Sequence, residues 1–320
     1  RLVEERVHAA LAERGRCEGA EEAPARPGSR AGAPQVSVRL RYDACHVAVA
    51  ASGPLQRRGY RTGLGESLLR ETQAAACIAA SPLLRRLAAA AAVGEELVLW
   101  DPFCSSGVVL LEALGMVLGQ PPGDRARKYP FASFPCHAKS EYEDFLNGLQ
   151  PAPHSALPGL TILGTDAAVS EVELAQRNLR RLQRRLWRGE EQSADAPQGS
   201  SEGAGSSPSP LACSVQFAQG SPGKSLHRLA GRPTLLLTSL LRAGGGPERR
   251  QLGRLLRRQQ ADWRGVFCVA TDAEDLRQQT GLEWSTELRF LSGGRWVELL
   301  QWTGRAGLGG PSTTHARHRA

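Results

Sequence analysis

The stretch Glu96 to Gly115, ELVLWDPFCSSGVVLLEALG, decides how the chain is read. Leu97-Val98-Leu99-Trp100 is an apolar run too short for a buried helix, so it reads as a central strand. It ends at Asp101-Pro102 and passes through the small residues Cys104-Ser105-Ser106-Gly107. The apolar spacing then turns helical at Val109, Leu110, Ala113 and Leu114. A strand that enters a helix through a tight small-residue turn is the layout of a nucleotide-type cofactor site. The turn admits a ligand to the backbone, and the helix N-terminus points free N–H groups at it.

On the N-terminal side, residues 65–93 predict a helix with Leu68, Leu69, Thr72, Ala76 and Ala79 toward the core, then a second one opened by Pro82 and closed near Gly94. Before them stands Gln56-Arg57-Arg58-Gly59-Tyr60-Arg61, three arginines around a Gly-Tyr pair. Such a patch either touches a phosphate backbone or solvates a loop, and the solvated loop is favoured. Val36 to Ser52 alternates apolar and polar residues, predicting two short strands that turn at Tyr42-Asp43. Residues 17–34 read as a Gly/Ala/Pro/Glu linker, and residues 1–16 as an amphipathic helix with Leu2, Val3, Val7, Ala10 and Leu11 on one face.

On the C-terminal side, residues 121–158 lose periodicity. Tyr129, Phe131, Phe134, Tyr142 and Phe145 are interleaved there with Arg125, Arg127 and Lys128, either to stack bases or to pin an irregular excursion. Leu160 to Leu163 reads as a second strand, followed by Gly164-Thr165-Asp166 and a helix from Ser170 through Leu186. An acid at the end of the second strand is where two ribose hydroxyls find one carboxylate. A Ser/Gly/Pro/Glu run over 189–211 is too polar to order itself. Further strands are expected at Ala212–Phe217, Leu235–Thr238 and Val266–Ala270, with an Arg/Leu helix at Pro247–Gln260 between the last two. A hairpin of Leu288–Phe290 and Trp296–Leu300 turns at Ser292-Gly293-Gly294, and a frayed tail follows from Thr303.

The 320 residues suffice for one large α/β domain with extensions or two modest ones. Lys and Arg exceed Asp and Glu by eight, which permits a polyanionic partner such as RNA; a GC-rich genome would give the same arginine excess. The seven cysteines, at positions 17, 45, 77, 104, 136, 213 and 268, form no CxxC pair. A zinc site or disulfide framework is therefore not expected, and an intracellular, reducing compartment is. No apolar run approaches a bilayer-spanning length, so no membrane partner is expected. The start at Arg1 rather than Met leaves room for an upstream portion. Oligomeric state leaves no trace in the sequence.

With these elements in order, the chain resembles the S-adenosylmethionine-dependent RNA guanine-N2 methyltransferases whose catalytic domain follows a THUMP RNA-binding domain. Four segments carry the resemblance. VAVAASGPLQRRGYR (Val47 to Arg61) looks like the bridge out of THUMP, and DPFCSSGVVLLE (Asp101 to Glu112) is similar to the family's DPFCGSGT-LLIE cofactor loop. Gly164-Thr165-Asp166 with AQRNL (Ala175 to Leu179) resembles the second cofactor motif, and Gly281-Leu282-Glu283-Trp284 with the Gly-turned hairpin resembles the C-terminal end.

The resemblance implies a Rossmann-like, doubly wound α/β sheet of seven mostly parallel strands, with an antiparallel last strand. It implies a domain plan as well: residues 1–46 as the end of a THUMP-like region and linker, 47–302 as the methyltransferase-like domain with a disordered insertion at 189–211, and 303–320 as a disordered tail. S-adenosylmethionine would lie against Asp101 and Gly107, with Phe103, Cys104 and Ser106 shaping the loop and Asp166 on the ribose. The substrate would be a guanine of tRNA or rRNA, flipped from its stack.

Two departures stand out at the motifs, and a third beside them. The family's first loop glycine is Ser105 here, and its threonine is Val108. After the fourth strand, where the family has Asn/Asp-Pro-Pro-Tyr/Phe to receive the target amine, this chain has Thr238-Ser239-Leu240-Leu241-Arg242. No catalytic residue is assigned there, although Ser239 offers one hydroxyl acceptor. The acid expected to face the adenine after Phe217 is replaced by Ala218-Gln219-Gly220-Ser221. An active methyltransferase and a catalytically inactive RNA-binding or assembly subunit of the same fold both remain open. A Rossmann oxidoreductase using NAD is disfavoured by the lack of GxGxxG spacing.

Overall fold

The computed structural model describes residues 35–63, 65–66, 68–123, 127, 129–148, 159–191, 213–229, 231–241, 245–258 and 262–306. The expected N-terminal helix and linker, most of the 189–211 insertion and the tail beyond 306 lie outside the described residues. The chain divides into two compact units, residues 1–55 with 125–148 and residues 56–124 with 149–320.

In the first unit, strands β1 (Val36–Arg41) and β2 (Ala44–Val49) pair antiparallel around Tyr42-Asp43. Both turn residues have positive φ (48° and 60°), matching the hairpin's right-handed twist. Residues 129–148 are more regular than the sequence suggests: a 3-10 turn at Pro130–Ser133 precedes a helix at Lys139–Gly148, of which no residue is buried. A helix without a buried stripe leaves no periodic apolar signal. The aromatic side chains stack on one another, Tyr129 on Phe131 (5.4 Å) and Phe131 against the edge of Tyr142 (5.0 Å). Arg127 covers Tyr129 and donates to the Pro54 carbonyl at 3.0 Å. These contacts fit the pinning role; Arg125 and Lys128 lie outside the described residues.

The second unit is a seven-stranded sheet. Its strands are β3 (Leu97–Asp101), β4 (Leu160–Asp166), β5 (Ser214–Gln219), β6 (Pro233–Leu240), β7 (Asp262–Ala270), β8 (Leu282–Ser292) and β9 (Arg295–Ala306), in the order β5-β4-β3-β6-β7-β9-β8. The first five run parallel, and β9 enters antiparallel between β7 and β8. The doubly wound α/β expectation therefore holds. Period-2 alternation divides the core: Leu97, Leu99, Leu235 and Leu237 face one helical layer, Val98, Trp100, Leu236 and Leu240 the other. Strands covered on both faces must be apolar throughout, which is why these runs do not alternate with polar residues.

Four sequence expectations need correction. First, the helix expected from residue 65 starts at Glu71 and runs to Ala80 as α1. Its buried face is Ala74, Cys77 and Ile78, whereas Leu68 is 60% exposed and Ala76 and Ala79 face outward. The apolar pair Leu68-Leu69 belongs to the extended approach and sets the wrong helical phase. Second, α2 (Leu83–Ala92) begins after Pro82 as expected, but a short helix at Ala273–Thr280 has no counterpart in the sequence expectations. Asp272 caps it, accepting from Asp275 N, and Gly281 closes it at φ 64°. Third, residues 303–306 are the end of β9 rather than a tail.

The fourth correction concerns the Arg-Gly-Tyr-Arg patch, which is not a solvated loop. Tyr60 is 2% exposed and its hydroxyl donates to Glu112 Oε1 at 2.8 Å. Arg58 lies 3.5 Å from the same carboxylate, and Arg61 is 3.5 Å from Glu71 while donating to the Leu69 carbonyl. The patch is an inward clamp on the helix that follows β3. Burial pushes the Glu112 carboxyl above its usual value, opposed by the Tyr60 hydrogen bond and by Arg58. Among the described residues, no single helix is long and apolar enough to cross a membrane.

Candidate cofactor site

The order of strands reverses between β3 and β6, so the loops leaving their carboxyl ends part there and open a crevice. The decisive stretch lies at this point. After β3 the chain turns through residues 102–107 and enters α3 (Val108–Val117), whose first seven residues are all buried. Gly107 caps the helix at φ 78°; a Cβ there would lie 2.9 Å from Phe217 and 3.1 Å from Ala175. Glycine is required both by conformation and by space. Ser105 holds φ 46° despite its Cβ.

The loop is tied to β4 and to the helix after it, which with Lys139–Gly148 counted as α4 is α5 (Val169–Glu191). Cys104 N donates to the Thr165 carbonyl at 3.0 Å. Ser105 N donates to Asp166 Oδ2 at 2.9 Å, and Ala168 N donates to the other oxygen at 3.0 Å. Asp101, 1% exposed, accepts from Phe103 N at 3.0 Å. Asn178 Nδ2 donates to the Ser106 carbonyl, while its Oδ1 accepts from both the backbone and the hydroxyl of Thr62. Glu171 accepts from the Ser105 hydroxyl and from Glu66 N.

The expected site residues thus form one group. Asp101, Phe103 and Cys104 line the crevice with Glu66, Leu68, Ser105, Val108, Val109, Ser239, Leu241 and Glu248. Ser106, Gly107 and Asp166 belong to the same loop and strand end but stand behind that lining. The space enclosed is about 10 Å³, room for one water. The hydroxyls of Ser106 and Thr238, both in fully buried residues, have no hydrogen-bond partner among the described residues. Burial, and then the charges of Asp101 and Asp166, raise the Cys104 thiol well above its ordinary range, so it stays neutral and is no nucleophile.

Sequence reasoning includes Asn178 in the AQRNL run without giving it a role, and overlooks Glu171. The first is readable as a polar residue on the buried side of an amphipathic helix, the second as an acid in the first turn of the helix after Asp166. At the end of β6, Thr238 and Leu240 are fully buried and Ser239 is half-buried in the crevice wall; Arg242 lies outside the described residues. Among the described residues, no group of three or more His, Cys, Asp or Glu could hold a metal.

No family model matches the chain. Over 147 residues it is 29% identical to ribosomal RNA large subunit methyltransferase K/L of Alcanivorax borkumensis, covering 46% of this chain and 20% of that protein. The protein of the same description from Shewanella sp. (strain W3-18-1) is 32% identical over 147 residues, covering 45% and 20%. The chain is similar to these methyltransferases over less than half of its length. It spans about a fifth of the length of the curated relatives it matches. Among solved structures, a possible methylase from Clostridium difficile 630 superposes with a TM-score of 0.61 at 16% identity, covering 97% of this chain and 70% of that one. A candidate methyltransferase crystallised with SAH gives 0.59 at 19%, covering 85% and 62%. The seven-stranded sheet with its antiparallel β9 has the fold of these methyltransferase structures.

Proposed function

We propose that the chain is the catalytic portion of an S-adenosylmethionine-dependent RNA methyltransferase, acting on the exocyclic N2 of a guanine in rRNA or tRNA. The observation that carries this reading is the Ser105 N to Asp166 hydrogen bond, which joins the β3 loop to the acid ending β4 at the point where the strand order reverses. The names of the K/L relatives support RNA as the substrate class.

The residues present fit such a cofactor. The backbone donors Ser105 N and Ala168 N, one on each Asp166 oxygen, fix the orientation of the carboxylate proposed to meet the ribose diol. The partnerless Ser106 hydroxyl is a buried polar atom that a polar ligand would satisfy. Asp101, Phe103, Cys104 and Gly107 hold the loop against the methionine part. The cofactor, when bound, supplies a methyl group already activated as a sulfonium, so the protein's task is positioning. Ser239 offers its hydroxyl to the target amine, and Leu241 flanks the base.

A second reading, a fold that no longer transfers methyl groups, is favoured by the end of β6. The strand runs on through Leu240, and the buried Leu240 and Leu241 supply no polar side-chain acceptor beside Ser239. Isothermal titration with S-adenosylmethionine and transfer of tritiated methyl to total RNA separate the two. Binding with transfer is expected; binding without transfer to any RNA, or no binding at all, overturns the first reading and leaves the second.

A further inference from the structure

The helix after β6, α6 (Gly246–Arg257), begins beside the crevice, where Glu248 lines the wall with Ser239. Its inner face is Leu252, Gly253, Leu255 and Leu256. Arg250, Arg254, Arg257 and the following Arg258 are all exposed. At about 100° per residue these four fall within an arc of about 100°, a single solvent face, and Arg250 to Arg258 spans about 12 Å along the axis. The turn Pro222–Arg228 lies alongside: a Cβ on Gly223 would be 3.6 Å from the Arg258 guanidinium, and Lys224 and Arg228 are exposed there.

None of these six cations forms an ion pair among the described residues. Arg250 donates to the neutral amide of Gln279, and Arg257 to the Thr280 carbonyl. Elsewhere Lys139 pairs with Glu143, Arg177 with Glu173 and Arg277 with Glu274, although Arg180, Arg181 and Arg184 of α5 are also exposed without a partner among these pairs; what sets α6 apart is that its cations lie beside the crevice. A strip of like charges repels itself, at a cost relieved by a polyanion that displaces counterions. The helix keeps no apolar residue for a bilayer, because Leu252, Leu255 and Leu256 are at most 3% exposed.

We propose that Arg250, Arg254, Arg257 and Arg258, with Lys224 and Arg228, hold the phosphate backbone of the RNA whose base enters the crevice. The inference rests on the RNA reading above. It makes α6 a sequence-independent rail: the strip supplies affinity and salt dependence, and the crevice supplies the choice of base.

The test uses the whole chain, a labelled single-stranded RNA and a series of salt concentrations, comparing the wild type with Arg250→Gln/Arg254→Gln/Arg258→Gln. Glutamine preserves helix propensity. Three lost phosphate contacts should lower the log–log salt slope by about 2 and weaken binding about 100-fold at 0.1 M salt. Lys224→Gln/Arg228→Gln, off the helix, should lower the slope by about 1.4 independently. Melting temperature and the shift produced by S-adenosylmethionine should be unchanged in both, which guards against misfolding. Wild-type RNA binding with an unaltered slope in both variants overturns this inference and leaves the RNA reading standing. A wild type that binds anionic phospholipid vesicles and no RNA overturns both.

Discussion

Gly107→Ala tests whether the loop conformation is as constrained as the geometry states. The substitution places a Cβ at φ 78°, costing about 1–2 kcal/mol for a left-handed L-residue. It also sets that atom 2.9 Å from Phe217 Cζ, 3.0 Å from Cε1 and 3.1 Å from the Ala175 methyl. Overpacking of that kind costs about 1–3 kcal/mol. The sum, about 2–5 kcal/mol, corresponds to a fall in Tm of about 5–15 °C for a unit of this size. Thermal melts followed by circular dichroism, with urea titration for ΔG, read it directly. Phe217→Leu removes the nearest ring atoms, so the double variant should recover about 1–2 kcal/mol relative to additivity and leave the dihedral part. A loss below about 1 kcal/mol, or strict additivity with Phe217→Leu, would refute the geometry of the loop.

Asp166→Ala removes the acceptor of Ser105 N and Ala168 N together with the proposed ribose contact, and should weaken S-adenosylmethionine binding by about tenfold or more in titration calorimetry; a change under about twofold counts against the site. Tyr60→Phe withdraws the hydroxyl from buried Glu112 without changing the packing, and should cost about 1–3 kcal/mol in urea unfolding. At high pH the buried thiols matter. Burial lifts Cys77 to about 12 and Cys213 to about 11 from an ordinary 9.0, so their stabilising contribution is complete below pH 9 and is lost as pH rises through these values. Unfolding free energies from urea titration should fall between about pH 9 and 11 by up to about 1.4 kcal/mol per pH unit per thiol, and Cys77→Ala should flatten the slope.

What can be read from the residues follows burial. The β3–loop–α3 unit is legible because strand and helix are buried together, leaving an uninterrupted apolar signal broken only by small residues. The helix at Lys139–Gly148 is not, since it buries nothing, and the helix at Ala273–Thr280 is too short to show a period. The phase of α1 is misleading because Leu68 and Leu69 precede the helix. The Arg-Gly-Tyr-Arg patch misleads because the carboxylates that draw it inward sit on later helices, Glu112 lying 52 residues beyond Tyr60. At the site, Asp101, Gly107 and Asp166 stand out by position. The Ser105–Glu171 contact does not, because it joins residues 66 apart.

The placement of β9 bears on how the chain comes to be folded as it is made. β9 is synthesised after every other strand of its sheet, yet it belongs inside that sheet, hydrogen-bonded to β7 on one side and β8 on the other. Until it arrives, β7 presents an open edge and β8 has no partner, so a ribosome-bound chain stopped at Gly294 would carry unsatisfied strand edges. Vectorial synthesis can preassemble the strands from β3 to β7, but the sheet closes only once the β8–β9 hairpin has emerged from the ribosome. Stalled or truncated chains are then the species for which chaperones and proteases compete.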